Sequence, residues 1–145
     1  MPRIAVISGL SREFLRRVFT RPQGIVGHNG VMAADGREIK RAYCVYVIEL
    51  DRAVMEIAKF RDANPGARAD RKCVYVGATS LPAEERFAQH QSGKRANRFV
   101  RKFGSALVLR LMRGRQGYKT WNEAIAAERR CAGKLRRRGY GVWSG

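Results

Sequence analysis

The sequence predicts a small α+β domain over residues 42–145, three strands flanked by helices, preceded by an N-terminal extension (residues 1–41) with no assigned role. Three observations point there. Two short runs, AYCVYVIEL from Ala42 and CVYVG from Cys73, are rich in the β-branched and aromatic residues that suit strands. After them, apolar residues recur at helical spacing behind cap residues and ahead of glycine stops. Finally, 145 residues, 45% of them hydrophobic, suit one domain with a modest core and leave no room for a second large one.

In the extension, Ser11 caps a short helix through Phe14, Leu15 and Val18, and Pro22 ends it. Gly24, Gly27 and Gly30 then mark a loop in which His28 and Asn29 face solvent. From Ala42 the first strand begins, with Tyr46, Ile48 and Leu50 on one face by the period of two. Residues 52–61 form a short amphipathic helix with Val54, Ile57, Ala58 and Phe60 on its apolar side, and Asn64-Pro65-Gly66 is a turn. The second strand puts Cys73, Tyr75 and Gly77 on one face. Thr79 or Ser80 opens the next helix, with Pro82 in its first turn and Glu84 and Glu85 at the positive end of its dipole. That helix stops near Gln91-Ser92-Gly93.

A further helix starts near Lys94, where Ala96, Phe99, Val100 and Phe103 fall at i, i+3, i+4 and i+7 and Gly104 stops it. Residues 105–112, SALVLRLM, read as the third strand. Thr120-Trp121-Asn122-Glu123 is a capping box, in which each end satisfies an orphaned backbone donor, and its helix runs to Gly139. Residues 140–143, YGVW, offer a short edge strand. There is no internal repeat.

The formal net charge is +18 and the isoelectric point about 11.1. Core packing does not produce such an excess. It calls for an acidic partner, nucleic acid or an anionic membrane. No apolar run approaches a membrane span, and IAVISGL is too short, with the wrong flanks, for a signal-peptide core. The expectation is a protein that binds nucleic acid, not membrane, in the cytoplasm; the oligomeric state stays open. The three cysteines are odd in number and match no zinc spacing, so they read as reduced, buried small hydrophobes.

Glu128 is the most informative residue. On a wheel of about 100° per residue, Trp121, Ala124, Ile125, Cys131, Ala132 and Leu135 form one stripe with Glu128 in its middle. A carboxylate facing the core needs a partner, either an arginine or a catalytic metal, and the helix alone does not choose between them. Arg86 and His90, four apart, lie one above the other on the face of Ala83 and Phe87. Arginine matches phosphate oxygens and histidine moves protons near neutral pH, though a lone pair at this spacing is more often a surface pair. Tyr46 and Tyr75, each flanked by valines, are by themselves ordinary core aromatics.

Taken in order, VYV at Val45–Val47, YVG at Tyr75–Gly77, RFAQH at Arg86–His90 and a helix-borne Glu128 resemble the GIY-YIG nucleases over about residues 42–142. The resemblance implies a three-stranded, mainly antiparallel sheet and metal-dependent hydrolysis of DNA. It implies Glu128 as ligand of one divalent cation, magnesium by preference, and Arg86 as the group that neutralises the scissile phosphate. Tyr46 would activate or orient the attacking water, Tyr75 and His90 would assist in proton handling and positioning, and Gly77 would keep the strand end open to substrate. The chain departs from the family pattern where Cys44 replaces a glycine, where valines replace isoleucines, and in its longer segment between the tyrosines. No asparagine follows Glu128, so that support is missing or comes from Asn97 or Asn122.

The charge then has a place. Lys94, Arg95, Arg98, Arg101 and Lys102 follow the Arg86 helix, and Arg129 and Arg130, with Lys134, Arg136, Arg137 and Arg138, lie on the last helix. Both groups can track a phosphate backbone with strong salt dependence and little sequence selectivity. The alternative is a non-catalytic, basic nucleic-acid-binding protein on the same scaffold. A basic structural protein of a ribonucleoprotein would explain the charge but not Glu128. No zinc finger or evident helix-turn-helix accompanies the domain, so a homing enzyme with its own targeting module is not expected.

Overall fold

The computed structural model describes residues 31–32, 35–36, 38–39 and 42–145. The chain divides into two compact units, residues 1–40 and 41–145. In the first, β1 (Val31–Met32) and β2 (Glu38–Ile39) pair antiparallel, with Val31 opposite Ile39. The sequence reading assigns no strand there. Its helix from Ser11, its glycine loop at Gly24, Gly27 and Gly30, and His28 and Asn29 lie outside the described residues.

The second unit grows from two strands, β3 (Cys44–Leu50) and β4 (Cys73–Thr79), paired antiparallel along their whole length. Residues of both alternations, Tyr46 and Ile48 as well as Val45 and Val47, are buried, so both faces of the sheet are covered. Between the strands, a 3-10 turn at Arg52–Glu56 is capped by the Asp51 carboxylate, which accepts from the Ala53 amide, and α1 (Ala58–Asp62) follows. The single helix expected over 52–61 is therefore broken at Ile57, whose backbone is extended. The break has a packing reason. Val54 and Phe60 are both fully buried, yet six residues of unbroken helix would turn them well apart.

After β4, the Thr79 hydroxyl accepts from the Leu81 amide, and α2 (Ala83–Gln91) starts with Pro82 as its N-cap. The following helix, α3 (Arg98–Phe103), begins later than expected. Gly93 and Arg95 hold φ of 81° and 48°, left-handed values that no helix accommodates, and the Asn97 side chain caps the Phe99 amide beyond them. The third strand expected over 105–112 is shorter. It is β5 (Gly104–Leu107), after which Leu109–Met112 form the single turn α4. Val108 and Met112, four apart, are buried while Leu109 and Arg110 face solvent, a helical pattern; a strand would put Arg110 on the same buried face as Val108 and Met112.

The last helix, α5 (Trp121–Arg137), opens with the expected capping box: the Glu123 amide donates to the Thr120 hydroxyl, and the Thr120 amide to the Glu123 carboxylate. Such a cap contributes about 1 kcal/mol. Its buried side is Ala124, Ala127, Glu128, Cys131, Ala132 and Leu135. Trp121, expected on that stripe, is 47% exposed. All three cysteines are buried and free.

A fourth strand, β6 (Gly141–Ser144), completes a mixed sheet of order β5-β3-β4-β6. The three-stranded, mainly antiparallel sheet is thus corrected. β3 is antiparallel to both neighbours, but β6 lies parallel to β4, with Trp143 opposite Tyr75. The buried Asn64 fastens it, donating from Nδ2 to the Phe60 carbonyl and accepting the Val142 amide on Oδ1, both at 2.8 Å. Trp143 then packs on the rings of Phe60 and Phe99.

Candidate active site

The β3–β4 register decides the site. Directly opposed residues point to the same face, so Tyr46 shares a face with its partner Gly77 and with Tyr75, the partner of Ile48. The Tyr46 ring crosses over Gly77: a Cβ there would lie 2.5 Å from the Tyr46 hydroxyl oxygen. The expected role of Gly77 is therefore corrected. Its missing side chain makes room for a tyrosine, not for substrate.

α2 brings His90 onto the same spot. His90 is fully buried, and the three rings of Tyr46, Tyr75 and His90 pack together with centroids 5.6–6.0 Å apart. His90 Nε2 lies 2.8 Å from the Tyr46 hydroxyl. The tautomer follows from the other ring nitrogen. The Asn97 amide donates to Nδ1, which must be unprotonated, so the neutral ring carries its proton on Nε2 and donates it to Tyr46. Burial, with the nearby Arg86 charge, lowers the His90 pKa to about 4, so the ring is neutral at pH 7. The Tyr75 hydroxyl donates to the Gly145 carbonyl at 3.1 Å.

One turn before His90, Arg86 is half-buried. Its guanidinium donates to Gln89 Oε1 at 3.1 Å and to the Arg95 carbonyl at 3.0 Å, which aims it and leaves further N–H donors for a ligand. The Tyr46 hydroxyl is driven well above its usual pKa, first by burial and then by Tyr75, with Arg86 pulling the other way. The same burial raises Tyr75.

Glu128 is buried on α5, and desolvation raises its pKa, with the Ala78 backbone and Arg129 opposing. β6 stops opposite Val76, so the Ala78 amide lies past that ladder and is offered to the carboxylate. Among the described residues no ion pair involves Glu128, so the buried arginine partner weighed from the helix pattern is not seen there. Among them, too, no group of three or more His, Cys, Asp or Glu gathers around a metal position. Glu128 is the carboxylate that could hold one, and a single carboxylate suits a hard cation that keeps most of its water.

Tyr46, Tyr75, Arg86 and His90 thus meet at one end of the β3–β4 pair, with Glu128 acting on Tyr75 from α5. Residues 42–141 match the GIY-YIG catalytic domain. The chain belongs to the GIY-YIG family. No curated protein and no solved structure gives a match.

Within this GIY-YIG domain the departures become legible. Cys44 is buried opposite Thr79 and its thiol donates to the Leu81 carbonyl at 3.7 Å. Asn122 is exposed, whereas Asn97 reaches the site, through its backbone amide. Gln89, the Arg95 carbonyl, the Asn97 amide and the Ala78 amide position the site but were not singled out from sequence. Asn97 is named from sequence only as a candidate to replace the missing asparagine, and backbone groups leave no trace in side-chain patterns. Lys94, Arg95, Arg98, Arg101, Lys102, Arg129 and Arg130 are all exposed, and none forms an ion pair among the described residues. Arg98 and Lys102 lie over the rings of Phe99 and Phe103. No helix among the described residues is long and apolar enough to cross a membrane.

Proposed function

We propose that this GIY-YIG domain is a divalent-metal-dependent endonuclease that hydrolyses phosphodiester bonds in DNA. One observation carries the reading: a tyrosine–histidine pair, an aimed arginine and a buried glutamate converge where β3, β4, α2 and α5 meet. Seven exposed cations on α3, α5 and the loop before α3, without ion pairs among the described residues, supply the surface that a DNA backbone needs.

Phosphodiester hydrolysis needs an oriented nucleophilic water, neutralised charge on the phosphate and a stabilised leaving oxygen. Glu128 would hold magnesium or a similar ion, which when bound polarises the phosphate and its water. Arg86 binds the non-bridging oxygens with the donors that Gln89 and Arg95 leave over. Tyr46 accepts from His90, so its own proton points elsewhere and can be directed to a water. Should that proton leave, the His90 N–H stays on the phenolate oxygen and stabilises it. His90 acts here as a neutral positioning donor, and Tyr75 walls the water in.

The test is incubation of the full chain with supercoiled, linear, single-stranded and branched DNA, with and without magnesium, beside Glu128→Gln. Nicking by the parent that needs the metal and is absent in Glu128→Gln is the expected result. Binding without cleavage under every condition would leave a basic DNA-binding scaffold instead.

A further inference from the structure

Trp121 belongs by spacing to the buried stripe of α5, yet it is one of two large hydrophobic side chains exposed among the described residues, with Leu109. The ring is also held. It packs edge-on against Tyr43 at 5.7 Å between centroids, and Tyr43 is pinned by two backbone hydrogen bonds with Tyr118, each 2.9 Å.

Its position relates it to the site. Trp121 and Glu128 are seven residues apart on α5, two turns on nearly the same face and about 10 Å along the axis. The strand confirms the neighbourhood. Val45 lies opposite Ala78, whose backbone meets Glu128, and Tyr43 is two residues further out on the same face, about 7 Å away. Charge along this path is cationic at both ends: the exposed Lys119 lies two residues before Trp121 and the exposed Arg129 acts on Glu128, while Glu123 is tied up in the capping box. An exposed, braced indole with a cation beside it and another at Glu128 suits a nucleobase on a phosphate backbone.

We propose that Trp121, braced by Tyr43, stacks an unpaired base of the DNA strand cut at Glu128. In continuous duplex the base faces are covered by their neighbours, so this platform selects DNA with unpaired nucleotides beside the cut. The proposal rests on the nuclease reading for the position of the cut, but its test does not depend on cleavage.

In EDTA, so that nothing is cut, the full chain is titrated with three probes of equal length: a single strand, an abasic strand of the same charge, and a duplex. The parent binds the base-bearing strand more tightly than the abasic one. Trp121→Ala loses about tenfold or more of that preference, as expected for one stacked base, while Trp121→Phe keeps most of it. Duplex affinity is the same in all three proteins. The single strand also quenches tryptophan fluorescence in the parent but not in Trp121→Phe, where Trp143 remains as the internal reference. Equal binding of the base-bearing strand by parent and Trp121→Ala would overturn the platform alone. Absence of any DNA binding would overturn the nuclease reading along with it.

Discussion

The hydroxyl end of the Tyr46 ring lies over Gly77, so close that a methyl group at residue 77 would come 2.5 Å from the tyrosine oxygen. The contact is with the stiff end of an aromatic side chain that is itself 1% exposed and cannot swing away. Gly77→Ala is therefore expected to cost about 1–3 kcal/mol of stability through overpacking. It should also move the Tyr46 hydroxyl off His90 and depress cleavage at temperatures where the fold survives. Denaturant melts beside single-turnover rates check this. Parent-like rates in a folded Gly77→Ala would show that the position of the hydroxyl does not matter to the chemistry.

Tyr46→Phe keeps the ring and removes the oxygen. The buried His90 Nε2–H then loses its acceptor, which costs about 1–3 kcal/mol. DNA affinity should stay near the parent value while single-turnover cleavage at saturating enzyme falls sharply. Tyr75→Phe, which loses a bond to the Gly145 carbonyl instead, should show the smaller loss. An unchanged rate in Tyr46→Phe would make this tyrosine a core residue and nothing more.

Arg86 and the α3 cations should separate kinetically. Arg86→Ala is expected to depress the chemical step by roughly 10²-fold or more, as loss of a charge partner at the transition state does. Arg98→Ala with Arg101→Ala should weaken binding and flatten its dependence on salt, leaving the single-turnover rate in place. If both variants lose only affinity, Arg86 is one more phosphate contact.

His90 makes stability depend on pH with a definite sign. Its pKa falls from 6.5 to about 4 on folding, so between these values the unfolded chain binds more protons than the folded one. Its contribution is complete above pH 6.5 and is lost as pH drops toward 4, at up to about 1.4 kcal/mol per pH unit. The buried Glu128 carboxyl is raised and works the other way, so the measurement belongs in Glu128→Gln. Unfolding free energies there, compared with those of the same protein carrying His90→Gln in addition, should diverge between pH 4 and 6.5. Parallel curves would show that His90 titrates normally.

Local pattern alone was enough for β3 and β4, for the capping box at Thr120 and Glu123, and for Glu128 on the buried side of α5. Each rests on residues within a turn or a strand of one another, where period and cap chemistry act directly. It was also enough for Arg86 and His90 sharing a helix face. The rest depends on which distant segments meet. The parallel pairing of β6 follows from the Asn64 side chain holding Val142, 78 residues away. The end of β5 follows from Val108 and Met112 burying as a helical pair. The proton on His90 Nε2 is set by the Asn97 amide, and the need for glycine at residue 77 by a ring from the neighbouring strand. Trp121 fits the wheel of its helix yet stands in solvent, because periodicity assigns a face and tertiary packing decides how far along the helix that face is covered.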